Sequence, residues 1–200
     1  MNTYTGSRSH SAHSDGLIRP RLSRPLLVIA GVSLAAGVVT GGVSYLDRSP
    51  EHEAHVDGTA ALGAHVLLFA LAAALVFVVI RRRGIDAFCR MLLAPLSTTA
   101  AQRFGRTVRS ILNHPTALLR LLLGILPLAL LVYSPFRIGV QVLGGLDPNF
   151  TVNAWGGPSY LGAMAFHYFD GALLITAAAG MLHLLLLPAG HGKPADMRRR

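Results

Sequence analysis

The stretch YLGAMAFHYFDGALLITAAAGMLHLLLL, residues 160–187, decides the fold of this chain. As a helix it is long enough to cross the hydrocarbon core of a bilayer, about 30 Å thick, yet it carries His167 and Asp170 one turn apart. A carboxylate near mid-bilayer costs roughly 2.5 to 3.5 kcal/mol on insertion scales, so such residues turn toward a bundle interior, a partner or a water-filled cavity. The remainder of the chain has to supply that shelter.

Composition points the same way. The chain is 52% hydrophobic and only 14% charged, where an ordinary soluble domain has about a quarter of its residues charged, and its mean hydropathy is +0.50. The apolar residues gather in four runs, 26–46, 60–80, 118–143 and 160–187, instead of spreading at amphipathic spacing, which removes a soluble helical bundle. The expected fold class is all-α: an integral membrane four-helix bundle over residues 25–188. It is flanked by a disordered tail at 1–24, too poor in apolar residues to order itself, and by a basic tail at 189–200. The run at 26–46 exceeds the 7–15 apolar residues of a signal peptide and shows no cleavage site, so it reads as an uncleaved first helix.

The formal charge of +9 invites a nucleic-acid reading, but the basic residues flank the apolar runs and do not form one face, so no nucleic-acid partner is expected. With four crossings, all but Arg48 and Arg137 of the 18 Lys and Arg residues fall on one side. By the positive-inside bias, both termini and the connection at 81–117 are expected in the cytoplasm of a bacterial plasma (inner) membrane. The Arg-for-Lys bias fits a GC-rich bacterial genome. Tyr45, Trp155 and Tyr160 fall at the opposite boundary, where amphipathic rings form belts. Cys89 is the sole cysteine, which excludes an internal disulfide or a Cys-rich metal site.

The connection has structure of its own. Ile85, Phe88, Cys89, Leu92 and Leu93 follow helical spacing up to Pro95, and Phe104, Val108, Ile111 and Leu112 resume it. Two amphipathic interfacial helices are expected, with Arg103, Arg106 and Arg109 on the polar face of the second, against anionic headgroups. In the first span Ser33, Gly37 and Gly41 recur every four residues and make a helix-packing face that admits a close backbone partner. In the third span Pro127 and Pro135 are expected to kink the helix or free its carbonyls. Asp147 to Asn149 signal a turn, and Pro158 is expected in the first turn of the last helix.

The chemistry-bearing residues are few. His52, Glu53 and His55 lack the His-Glu-x-x-His spacing of a zincin, and no phosphate-binding Gly-rich Lys motif or serine elbow is present. No catalytic or metal site is therefore assigned. His167, Asp170 and Arg137 form the candidate buried polar or proton site. Three functions compete for it. The first is an accessory, assembly or scaffold component whose polar residues tie helices together, with a membrane-protein partner or a second copy. The second is a proton-coupled small transporter or ion pathway. The third is a redox subunit holding one haem b between His65 and His167, which enter at similar depth from the outer side.

Overall fold

The computed structural model describes residues 21–189, so most of both expected tails lies outside the described residues. Among the described residues the chain is helical, with no named strand and one isolated backbone bridge, between Leu22 and Ser97. The elements are α1 (Arg24–Leu46), α2 (Leu62–Arg83), α3 (Ile85–Leu93), α4 (Thr98–Arg109), α5 (Pro115–Gly144), α6 (Pro148–Thr151) and α7 (Tyr160–Leu185). Four of them, α1, α2, α5 and α7, are long and apolar enough to cross a membrane. Their outward side chains fit that solvent: Val28, Val32, Val39, Leu67, Leu71, Leu75 and Leu126 are all exposed, where water would penalise them and lipid would not.

Local chemistry sets the boundaries. Pro25 occupies the first turn of α1, where its missing N–H costs nothing. Arg81, Arg82 and Arg83 remain helical and close α2, cations at the negative end of its dipole. Gly84 follows at φ +79°, a left-handed conformation that suits glycine, and turns the chain into α3. Pro95 sits in the single 3₁₀ turn Ala94–Leu96, after which Ser97 caps α4 by accepting from the Ala100 N–H.

Three details bear on the sequence expectation. The α5 helix runs unbroken through Pro127 and Pro135. Hydroxyls act on carbonyls in this stretch: Ser134 Oγ donates to Leu130 O at 2.6 Å and Ser33 Oγ donates to Val132 O at 2.5 Å. The Asp147 turn becomes the short helix α6, because the Asp147 carboxylate accepts from the Asn149 N–H and caps it. Pro158 lies two residues before α7, whose cap is Ser159, and so is not in its first turn.

The most extensive helix–helix contacts are α1 with α5 and α5 with α7. Glycine makes the first contact tight: a Cβ built on Gly37 would fall onto the Phe136 carbonyl, on Gly41 onto that of Val140, and on Gly139 onto that of Leu34. Backbone therefore meets backbone, the small-residue mode of helix association that apolar lipid leaves available. In contrast, α2 buries one side chain only, that of His65.

Hydrogen bonds gather the connections at two ends. At one end Ser23 N–H donates to Leu96 O and Thr98 N–H to Arg21 O, both at 2.8 Å, tying the entry of α1 to the α3–α4 junction. At the other, Asn149 Nδ2 donates to Glu51 O at 2.7 Å, while Glu53 N–H and Val56 N–H donate to the side-chain oxygens of Asn149 and Asn153 at 2.9 Å. The loop after α1 and the loop before α7 are thus one hydrogen-bonded unit.

Candidate functional site

The polar side chains of the spans meet on α7. His65, in the first turn of α2, has its Nδ1 2.9 Å from its own helix carbonyl at Ala61. Its Nε2 stands 3.4 Å from each carboxylate oxygen of Asp170. The imidazole lies against two rings, with centroids 5.2 Å from Trp155 and 4.7 Å from Phe166. One turn further along, Phe69 meets Phe169 at 5.6 Å. Docking of α2 on α7 is therefore a polar pair inside an aromatic frame.

A second pair joins α5 to α7. Arg137 Nη2 lies 3.5 Å from His167 Nδ1, and Phe150 sits edge-on to the His167 ring at 6.1 Å. One turn beyond Arg137 on α5, Gln141 is 3% exposed and its Oε1 has no hydrogen-bond partner. The candidate residues His167, Asp170 and Arg137 thus come together with His65, but in a pairing that spacing along α7 does not reveal. His167 and Asp170 share a helix face, and each reaches a partner on a different neighbouring helix.

Ser33, Gly37 and Gly41 lie apart from this cluster, all three against α5. In the loop after α1, His55 Nδ1 is 2.7 Å from Val152 O, and His52 lines a surface cavity of about 330 Å³ with Tyr45, Arg48 and Asp147. Among the described residues no group of three or more His, Cys, Asp or Glu side chains converges as metal ligands would.

At the far end of α7 the arginines of the connection do something the sequence reading did not anticipate. Arg103 donates to the carbonyls of His183 at 2.5 Å, Leu186 at 2.8 Å and Leu187 at 3.2 Å, and to His183 Nδ1 at 2.6 Å. Arg106 reaches Pro188 O at 3.1 Å and Arg120 reaches Leu185 O at 3.0 Å, while Thr107 Oγ1 accepts from the Leu187 N–H at 3.0 Å. Arg103 and Arg106, expected against headgroups, cap the carbonyl end of α7 instead, because a helix C-terminus offers unpaired acceptors and partial negative charge to a guanidinium fork. The signal available in the sequence was the polar face of α4; its target was not.

Compared with models of known families, with curated proteins and with solved structures, the chain matches none. What the site does must be argued from its geometry.

Proposed function

We propose that the protein is an accessory, assembly or scaffold component of a bacterial plasma membrane, with a buried His/Asp/Arg cluster that fastens its helices to one another. The observation that carries this reading is that both polar pairs run between helices: His65 of α2 with Asp170 of α7, and Arg137 of α5 with His167 of α7. Interhelical hydrogen bonds of this kind contribute about 0.6 kcal/mol each on average, up to about 1.7. That is modest, but it decides the position of a helix that buries nothing else.

The four spans are read as a bundle with both chain ends and the 81–117 connection in the cytoplasm. Arginine distribution supports that orientation, and so does the hydrogen bonding of the α1 entry, the α3–α4 junction and the α7 end to parts of the same connection. Exposed Ile85, Met91 and Leu92 on α3, beside Arg81, Arg82, Arg83 and Arg90, suit a surface of anionic headgroups. The bare apolar flank of α2 is the face offered to a membrane-protein partner or a second copy.

Capture of the full-length protein from crosslinked native membranes in mild detergent tests the role. A reproducible membrane partner or a defined homo-oligomer, retained in Asp170→Asn, is expected, because an amide preserves the bond to His65. Recovery as a solitary monomer would overturn it. A haem b bridging His65 and His167 would have to displace Asp170 from His65 Nε2; a Soret band in the purified protein would establish that alternative.

A further inference from the structure

We infer that His65 and Asp170 form a proton-binding site, holding one exchangeable proton between Nε2 and the carboxylate. The argument is one of donors and acceptors. A backbone carbonyl only accepts, so the 2.9 Å contact of Nδ1 with Ala61 O places a hydrogen on Nδ1. That fixes the tautomer: unless the ring is a cation, Nε2 carries a bare lone pair. Nε2 faces both oxygens of Asp170 at 3.4 Å, and a lone pair facing a carboxylate is repulsive. One further proton turns the contact into a bond. It rests either on Nε2, giving imidazolium and carboxylate, or on the carboxyl group, giving neutral imidazole and acid. In both forms the pair has no net charge. When the proton leaves to water the pair carries one negative charge, and nothing holds Nε2 to Asp170.

The surroundings single out this pair. His167, on the same helix as Asp170, faces the Arg137 guanidinium through Nδ1 at 3.5 Å. A guanidinium only donates, so His167 accepts there and is the neutral tautomer with its hydrogen on Nε2. Arg137 is thus the fixed positive charge that α5 brings to the cluster, and α2 has no other ionisable residue before Arg81. Phe166, Phe69 and Phe169 add no titratable group. The two groups are unequally covered: the His65 side chain is 7% exposed and that of Asp170 22%, so the carboxylate is the more open of the two. Trp155, from the loop that precedes α7, lies beside the imidazole at the end where Asn149 and Asn153 bind the other loop. This proton sharing does not depend on the accessory role proposed above.

Trp155 is the only tryptophan in the chain, and an indole beside an imidazole senses the imidazole's charge and position. Its fluorescence in the full-length protein, reconstituted in liposomes, should change with pH in a single one-proton step. In Asp170→Asn the amide donates to Nε2 without sharing a proton, so the titration should move away from the wild-type midpoint while the thermal melt stays that of wild type. In His167→Gln the titration should persist. An unresponsive wild-type signal, or a wild-type curve in Asp170→Asn, overturns the inference. Should Asp170→Asn fail to fold, His65→Gln carries the test, since glutamine offers a donor to Asp170 and no imidazole; the wild-type midpoint surviving there overturns it equally. Loss of copurifying partners with an intact titration would count against the accessory role alone.

Discussion

His65 and Asp170, 105 residues apart in the chain, meet with Nε2 3.4 Å from both carboxylate oxygens, and the histidine is the one side chain that α2 buries. Position in sequence explains neither half of this pair. The carboxylate is costly in a membrane span, the histidine is the sole polar residue of its span, and each is the other's means of staying there.

Removing the histidine should release α2. In His65→Ala the aromatic frame loses its centre and Asp170 loses its partner, so crosslinking between cysteines placed at Phe69 and Phe169, in a chain with Cys89→Ser, should fall severalfold. Stability should drop by about 0.6 to 1.7 kcal/mol, the range measured for intramembrane hydrogen bonds, read as a lower melting temperature in detergent.

The α1–α5 contact should tolerate no side chain at Gly37 or Gly41. Gly37→Val and Gly41→Val each drive a Cβ onto an α5 carbonyl, and overpacking of this kind costs about 1 to 3 kcal/mol. Gly31→Ala, on the same helix but with open space around it, is the control and should leave the melting temperature unchanged or slightly raised.

Arg103 should behave as a structural cap. Arg103→Ala strands three carbonyls of the α7 end, and a hydrogen bond from a charged donor contributes about 1.5 to 3 kcal/mol. Faster hydrogen exchange at Leu187 N–H, which Thr107 holds at 3.0 Å, is the expected readout. Arg103→Lys should restore little, because one ammonium does not span the four acceptors that the planar fork reaches.

The proposed sidedness rests on the arginines. A membrane-impermeant maleimide added outside intact cells should leave Cys89 unmodified and should label a cysteine placed at Thr59. The reverse pattern would invert the proposed topology.

Much of this architecture is legible in the sequence, and the rest is not for a physical reason. The four long helices announce themselves because each run is apolar for the length of a bilayer. Which way each helix faces is written far more faintly: lipid tails and a helix interface are both apolar, so hydrophobic periodicity, which orients a helix in water, carries little information here. Gly37 and Gly41 are the exception, since small residues at a four-residue spacing mark a face by shape. His167, Asp170 and Arg137 are legible as one cluster, but the pairing of Arg137 with His167 and of His65 with Asp170 depends on how α5 and α2 lean on α7. Gln141 stands one turn from Arg137 and could have been added to that face by spacing alone. The capping role of Arg103 could not, because three of its four acceptors are backbone carbonyls and all lie 80 or more residues away.

The most direct test of the polar tie between α2 and α7 is a double-mutant cycle. His65→Ala, Asp170→Ala and the double variant are compared with wild type by unfolding in detergent. A coupling of about 0.6 to 1.7 kcal/mol, with the double variant less destabilised than the sum of the single ones, is the expected result. Additive effects would show that the two residues do not hold the helices together.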